Sequence, residues 1–205
     1  MNVTPVSPNR LADEVAELVA ARPGRVRLAL DGPPPTRPAA LAASVATHLR
    51  ALGRAVVVVS AFDFLRPASV RLEYGHTDPD EFLDGWLDVG GLIREVLDPA
   101  GPGGSGRVLP RLWDAAADRA YRDGYAALPE DGVVVLAGAL LLGRGLPLDL
   151  AVHLRMSGPA LARRTPVEEQ WTLPAYARYE TERDPAGEAD LLVLADHPER
   201  PAVRR

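Results

Sequence analysis

The chain has 205 residues, of which 47% are hydrophobic and 25% charged, a composition typical of one folded domain and short for two. It has no cysteine, which excludes disulfides, thiolate zinc sites and a cysteine nucleophile, and its net charge of −5 argues against nucleic acid as the main partner. All 23 basic residues are arginine, so no mechanism that needs a lysine amine is available.

The sequence predicts neither export nor a membrane partner. No apolar run approaches the roughly 18 residues that span a membrane. The stretch MNVTPVSPNR at the start of the chain lacks the apolar region of a signal peptide. We therefore expect a cytoplasmic protein.

The first part of the chain alternates helix and strand patterns. Ser7-Pro8 is a helix start before apolar residues at helical spacing, and Pro23-Gly24 ends that helix. The apolar strand Val26–Leu30 runs into an Asp-Gly turn, which a second amphipathic helix follows. The β-branched run Ala55–Ser60 predicts a strand that is buried on both faces.

The second part begins with an irregular section and then resumes the alternation. Helices are predicted over Pro79–Leu97 and Asp114–Leu128, with the flexible Gly/Pro segment Asp98–Arg107 between them. Three further strands and one helical stretch complete the pattern: the strands Gly132–Leu142, Leu148–Leu154 and Ala189–Ala195, and the helical stretch Gly158–Arg183.

Short apolar strands that alternate with helices predict an α/β domain with a doubly wound parallel sheet of five strands, in three α/β/α layers. We expect one domain over residues 1–205 with a lid-like helical segment at about 158–183. Ligands of such sheets bind beyond the carboxyl ends of the strands. The turns after Leu30, Ser60 and Leu136 are therefore where a site is expected.

The order of these features resembles the uridine kinase family of P-loop nucleoside kinases, especially its compact bacterial members. The resemblance covers about Arg25 to Ala202. It is carried by "RVRLALDG", "LRALGRAVVVVSAFDFLRP", "HTDPDEFLD", "VLDPAGPGG", "VVVLAGALLL", "LDLAVHLRMSGPALARR" and "LPAYARYETERDPAGEADLLVLADHPERP". It implies a P-loop nucleoside-kinase-like fold, and a chemistry in which the γ-phosphoryl group of ATP passes to the 5′-hydroxyl of a nucleoside.

The loop after the first strand departs from the family motif. A P-loop reads Gly-x-x-x-x-Gly-Lys-Ser/Thr because consecutive N–H groups curl around the phosphates, the lysine neutralises them and the hydroxyl holds Mg²⁺. Here the last three positions of that motif are Arg37, Pro38 and Ala39, and four prolines remove N–H donors. Gly32, Thr36 and Arg37 remain as phosphate- or anion-binding candidates. The alternative is a turn that binds nothing.

Two acidic positions of the family are also replaced. The catalytic base of the family falls on Phe62, with Asp63 one residue later, and the acid that helps to hold the metal falls on Ala137. Asp63 could replace the base only if the turn is shifted. Otherwise Asp63 is a solvated or capping carboxylate. No metal site is therefore expected.

The resemblance also implies a nucleoside pocket that contains Asp63, Asp78, Trp113 and Asp114. The family aspartate that grips the ribose falls beside Asp78, and Trp113-Asp114 falls where an aromatic residue and an aspartate line the base pocket. The alternative for Trp113 is an amphipathic core residue. His76 is a candidate acid or base whose alternative is an ordinary surface histidine.

Arg163 and Arg164 match the lid arginines that stabilise the charge of the transferred phosphate, or else they form a solvated helix face. With the lysine, the metal hydroxyl, the base and the strand-end acid all replaced, we expect a nucleoside- or anion-binding or interaction protein. It would not be an active Mg·ATP kinase, and no cofactor is expected. Candidate partners are a nucleoside, a small phosphorylated molecule, another protein or a second copy of the chain.

Two alternatives stay open. One is a nucleoside or small-molecule phosphotransferase whose site is rebuilt from Arg37, Asp63, Asp78 and Arg163, and which would use ATP and Mg²⁺. The other is a different chemistry in the old nucleoside pocket, with Asp63, His76, Asp78 or Asp114 as the acid or base.

Overall fold

A computed structural model describes residues 3–204 of the chain, and a central sheet lies between two layers of helices. The strands within these residues are β1 (Val3–Pro5), β2 (Val26–Asp31), β3 (Val56–Ser60), β4 (Arg107–Val108), β5 (Trp113–Asp114), β6 (Arg119–Ala120), β7 (Ala126–Ala127), β8 (Val133–Gly138), β9 (Leu150–Arg155), β10 (Leu191–Leu194) and β11 (Ala202–Arg204).

The helices vary from 14 residues in the second to three in the sixth. They are α1 (Pro8–Ala20), α2 (Pro38–Ala51), α3 (Ala68–Arg71), α4 (Pro79–Asp84), α5 (Val89–Leu92), α6 (Asp98–Ala100), α7 (Gly158–Arg164), α8 (Leu173–Arg178) and α9 (Pro185–Glu188). Three 3₁₀ segments, Pro34–Thr36, Ala61–Asp63 and Val167–Thr172, and two π-helical turns, Ile93–Leu97 and Tyr179–Arg183, lie among them. None of the helices within residues 3–204 combines the length and the apolar character that a membrane crossing needs.

The sheet has seven strands in the order β1-β11-β10-β9-β2-β8-β3. The five predicted strands form its parallel part, from β10 to β3. The prediction of five strands in total was wrong, because β1 and β11 extend the sheet with antiparallel pairing at one edge. Each has three residues, too few to show a strand periodicity in the sequence.

The sheet separates two apolar cores. On one face Leu28 and Val135 pack under α1 and α2, and on the other Ala29 and Leu136 pack under α4, α5 and α8. Strands β2 and β8 are buried along their whole length, as expected for central strands that are covered on both sides. The carboxyl end of β2 therefore lies in the middle of the sheet edge where the loops meet.

The predicted helix over Asp114–Leu128 was wrong, since this segment holds the short strands β5, β6 and β7. The carboxylate of Asp114 accepts hydrogen bonds from the N–H groups of Ala116 and Ala117 and so closes a turn. That local bonding competes with a helix despite the alanine-rich sequence. β5 then pairs with β6.

The other two predicted helical regions are interrupted. The helix predicted over Pro79–Leu97 stops at Gly85 and restarts at Asp88, whose carboxylate accepts a hydrogen bond from the Gly91 N–H. The stretch Gly158–Arg183 holds α7 and α8, joined by a 3₁₀ segment. We call residues 158–183 the lid segment, since they pass over the carboxyl ends of the strands.

A buried ion pair fixes β9 against β2 near the start of both strands. The Arg27 guanidinium donates two hydrogen bonds to the Asp149 carboxylate, at 2.8 and 2.7 Å, and the Arg27 N–H donates a third at 2.8 Å. The two side chains are 10% and 30% exposed. Burial alone would raise the pKa of Asp149, but the hydrogen bonds from Arg27 outweigh burial and lower it.

We expect Asp149→Ala to lower the free energy of unfolding by about 2–3 kcal/mol, since it leaves Arg27 buried without its counter-charge. Chemical denaturation at pH 7 measures this loss. The control is Asp13→Ala, which breaks the more exposed pair with His48 and should cost less than about 1 kcal/mol. Equal losses in the two variants would contradict a structural role for the Arg27–Asp149 pair.

Candidate functional site

The turn after β2 is closed by its own hydrogen bonds. The N–H and the hydroxyl of Thr36 both donate to the Pro33 carbonyl, at 2.8 and 2.7 Å, and the Arg37 N–H donates to the Pro34 carbonyl at 2.9 Å. The prolines contribute no N–H groups. The donors of this turn are therefore used inside it.

The conformation of the turn depends on a close backbone approach at Gly32 and on a left-handed backbone at Arg37. A Cβ atom on Gly32 would lie 2.6 Å from the Thr36 hydroxyl and 2.7 Å from the Leu154 carbonyl, so only glycine fits there. Arg37 has a left-handed backbone (φ 61°, ψ 51°), which glycine adopts without steric cost. The Arg37 guanidinium forms an ion pair with Glu199 at the surface.

Directly before the turn, Asp31 is fully buried and makes three hydrogen bonds. One carboxylate oxygen accepts from the Tyr179 hydroxyl at 3.0 Å and contacts Nδ1 of His153 at 2.7 Å. The other oxygen accepts from the Leu141 N–H at 2.9 Å. Burial, followed by the Asp31 charge, raises the pKa of Tyr179, so its hydroxyl stays protonated as a donor. Asp31 thus joins β2, β9, the turn after β8 and the lid segment.

His153 continues the network outward. Its Nε2 lies 2.9 Å from one oxygen of Glu180, whose other oxygen pairs with Nε of Arg155 at 3.0 Å. Burial lowers the pKa of His153, but the hydrogen bonds to Asp31 and Glu180 outweigh burial and raise it to about 9. Both ring nitrogens face carboxylates, so His153 is an imidazolium at neutral pH. Four alternating charges therefore run from Asp31 to Arg155.

A cavity of about 480 Å³ lies between this network and the lid segment, and we call it the lid cavity. Apolar side chains from α7 and α8 form the wall of this cavity that faces the lid segment. Gly32 and Pro33 of the turn also line the cavity. Its polar lining residues include His153, Arg155, Tyr176 and Glu180.

A second cavity, of about 410 Å³, lies on the other side of the proline turn, and we call it the aromatic cavity. Phe82 lines this cavity, and its ring centroid lies 5.2 Å from that of Trp86, 5.5 Å from that of Trp171 and 5.7 Å from that of Tyr176, all edge to face. Phe62 and the rings of Pro34 and Pro35 also line it. Tyr176 is shared with the lid cavity.

The predicted anion-binding residues are spread around the turn. Gly32 lines the lid cavity, whereas Thr36 and Arg37 line a separate cavity of about 110 Å³ beside Glu199. Arg163 and Arg164 are both exposed at the end of α7, where Arg164 donates to the Asp196 carbonyl at 3.0 Å. Neither arginine lines the lid cavity or the aromatic cavity.

Asp63 lies in the 3₁₀ segment after β3 and accepts a hydrogen bond from the Tyr121 hydroxyl at 3.1 Å. Burial raises the pKa of Asp63, while the Tyr121 hydrogen bond and the Arg111 charge oppose that rise. Tyr121 and Arg111 belong to the section of the chain between α6 and β8. Asp63 is therefore tied to that section and lines neither the lid cavity nor the aromatic cavity.

The other predicted pocket residues make local contacts. Asp78 caps α4 by accepting the N–H groups of residues 80 and 81, and His76 is exposed. Trp113 is half-buried and donates its indole N–H to Asp118, while Asp114 closes the turn described above. None of these four lines either of the two main cavities.

Sequence reasoning missed Asp31, His153, Tyr179 and Glu180. The available signal was a charged residue inside an apolar strand, as in "LALDG" and "AVHL", because a buried polar side chain needs a partner. No group of three or more metal-ligating side chains is placed to hold a metal ion within residues 3–204.

Three solved structures share the fold of this chain, and two of them are described as kinases. A "possible uridine kinase" from Bacillus stearothermophilus has a TM-score of 0.71 at 18% identity, covering 88% of this chain and 96% of that chain. A "putative fructose transport system kinase" from Silicibacter sp. TM1040 has 0.61 at 24%, covering 88% and 91%. The YGR205w protein has 0.58 at 12%, covering 97% and 99%. These likenesses confirm the predicted three-layer, uridine kinase-like fold.

No family model matches the chain, and no curated protein matches its sequence.

The charge of His153 makes stability depend on pH. The pKa of His153 is about 9 in the folded protein and about 6.5 when unfolded, so its contribution is complete below pH 6.5 and is lost as pH rises through 9. We expect the free energy of unfolding to fall by up to about 3 kcal/mol across this window. Denaturation at several pH values measures the slope.

His153→Gln should be less stable at pH 6.5 and should have a flatter profile. His76→Gln, which changes an exposed histidine, is the control and should keep the slope of the unmodified protein. A slope that survives in His153→Gln would show that another group titrates.

Proposed function

We propose that the chain uses a kinase fold to bind a small molecule with a planar ring, with a nucleoside as the favoured class, and that it does not transfer phosphate from Mg·ATP. The observation that carries this proposal is a self-bonded proline turn that stands where the fold would hold phosphate, directly beside an aromatic cavity.

The turn offers too few donors for a triphosphate. Phosphate binding needs several N–H groups directed at one anion, and a hydroxyl for Mg²⁺. Here the N–H groups of Thr36 and Arg37 and the buried Thr36 hydroxyl are bonded within the turn, and freeing them would cost about 1 kcal/mol each. Among the N–H groups from Thr36 to Leu41, that of Ala39 at the start of α2 is the single one without an acceptor in the described residues. Mg·ATP does not fit this arrangement.

The charges beneath the turn are also balanced already. His153 is the buried cation of the network, and the carboxylates of Asp31 and Glu180 both pair with it. No lysine is present in the chain to add positive charge. A triphosphate would therefore meet a neutral network in place of the concentrated positive charge that phosphoryl transfer requires.

The aromatic cavity supports a planar ligand. Stacking of a base on aromatic side chains contributes about 1–3 kcal/mol, and Trp171, Phe82 and Phe62 supply such faces. Glu169 lies on the same wall and can accept hydrogen bonds from sugar hydroxyls. Ring and sugar recognition can thus persist without a phosphate site.

A rebuilt phosphotransferase has less support. Arg37, Asp63, Asp78 and Arg163 were its candidate residues, and none of them lines the lid cavity or the aromatic cavity. A catalytic group must lie within hydrogen-bond reach of the reacting atoms. The absence of a cofactor, the cytoplasmic location and a protein partner or second copy stay predictions.

We expect uridine to raise the melting temperature through the aromatic cavity, with a stabilisation of about 2.7 kcal/mol at a ligand concentration 100 times Kd. Trp171→Leu should weaken uridine binding at least fivefold, because a stacking face is lost. Trp113→Leu is the matched control outside the cavity and should bind normally. Loss of binding in Trp113→Leu alone would instead favour the pocket predicted from the sequence.

Rebuilding the P-loop motif should not create a kinase. The triple variant Arg37→Gly, Pro38→Lys, Ala39→Ser still has Phe62 and Ala137 at the base and acid positions, so we expect no ATP-dependent phosphorylation of uridine. A coupled assay for ADP release measures turnover. Turnover in the triple variant would show that the turn alone had blocked the reaction.

A further inference from the structure

Tyr176 is only 7% exposed, and its hydroxyl makes no hydrogen bond to residues 3–204 but is open to the cavity space rather than enclosed by protein. Burial, and then the charges of Asp31 and Glu169, raise its pKa, so the hydroxyl is a donor at neutral pH. A hydroxyl that opens into a cavity and has no protein partner is free to donate to a bound molecule. Because Tyr176 lines the lid cavity, this donor is available to an acceptor on a molecule bound there.

The other polar groups around the lid cavity are satisfied among themselves. Both oxygens of Asp31 and both oxygens of Glu180 accept hydrogen bonds or ion pairs, and both ring nitrogens of His153 face carboxylates. Arg155 uses only its Nε in the network. The cavity thus offers free donors, on Tyr176 and Arg155, and no free carboxylate acceptor. A ligand must bring the acceptor.

The charges decide what kind of acceptor fits. Asp31 and Glu180 are balanced by His153 and Arg155, so the network is neutral as it stands. An anion beside Tyr176 would meet the field of Asp31, which that hydroxyl already feels. The opposite wall is apolar and includes Leu140, Met156, Leu161 and Leu173. An uncharged, largely apolar molecule matches this surface best.

We propose that the lid cavity is a second binding site, which takes an uncharged, largely apolar molecule whose carbonyl oxygen accepts a hydrogen bond from Tyr176. The site is distinct from the ring-binding aromatic cavity, although the proline turn and Tyr176 line both cavities. Its polar contact is the Tyr176 hydroxyl, and its apolar contact is the inner face of the lid segment.

Cyclohexanecarboxamide is a suitable probe, because it has a carbonyl acceptor and an aliphatic ring that lacks a π face for the aromatic cavity. Titration followed by NMR of the intact protein should give saturable shifts in the lid segment. Tyr176→Phe should weaken binding about fivefold, the loss of one hydrogen bond. The same variant should keep its melting temperature, because the hydroxyl bonds no protein group, whereas the loss of a structural hydroxyl would lower the melting temperature.

Two matched probes test the charge argument. Cyclohexanecarboxylate and cyclohexylmethylammonium have the same ring with a negative or a positive group, and both should bind more weakly than the amide. Tighter binding of the carboxylate, or amide binding that Tyr176→Phe leaves unchanged, would overturn the proposal. So would the absence of any saturable shift with the amide.

Blocking variants separate the two cavities. Ala162→Phe fills the lid cavity, so it should abolish amide binding and leave the uridine response intact, while Trp171→Leu should do the reverse. Ala177→Phe, at an exposed position of the same cavity wall, serves if the first variant does not fold. Amide binding that survives a folded blocking variant would place the amide elsewhere and contradict the lid-cavity site.

Discussion

The buried carboxylate of Asp31 is the interaction on which the carboxyl end of the sheet depends. It receives hydrogen bonds from the Leu141 N–H and the Tyr179 hydroxyl, and it pairs with His153. These partners lie on the turn after β8, on the lid segment and on β9. A fully buried carboxylate is costly unless it is paired and hydrogen-bonded, and here one group satisfies that demand by joining four parts of the chain.

The hydrogen-bond donors of the turn that follows Asp31 are likewise paired within the protein. In a P-loop, the backbone leaves its N–H groups directed at a phosphate, so the loop is completed by its ligand. Here Thr36 and Arg37 bond back to the carbonyls of Pro33 and Pro34, and the turn is complete by itself. The prolines and the hydrogen bonds act together, because each removes donors that a triphosphate would need. The two main cavities beside the turn are lined by apolar and aromatic side chains and, in the lid cavity, by charges that already pair with one another.

Local patterns in the sequence predicted the local features well. Val26–Leu30 and Ala55–Ser60 are continuous apolar runs, and both form strands. Burial on both faces was right for the first run, but it was wrong for the second, because β3 is an edge strand and Val58 is 40% exposed. The loss of N–H donors in the turn was also predictable, since proline acts at its own position. By contrast, the helix over Asp114–Leu128 was overridden by the turn that Asp114 closes. Edge strands of three residues carry too little pattern to be found.

The candidate site depended on contacts that no local pattern contains. His153 lies 122 residues from Asp31 and 27 from Glu180, so their pairing exists only once the sheet and the lid segment have packed. The family register placed Asp63 and Trp113 in the site. Their side chains instead form hydrogen bonds with Tyr121 and Asp118, which lie between α6 and β8. The aromatic cavity similarly draws Phe82 and Trp171 from segments that are far apart in the chain.

The claim that the turn after β2 has no room for a triphosphate is tested most directly by a ³¹P NMR titration of Mg·ATP with the intact protein. We expect the β- and γ-phosphorus resonances to keep their position and width as the protein reaches equimolar concentration. Saturable broadening or displacement of these two resonances, lost in the Gly32→Ala variant, would contradict the account.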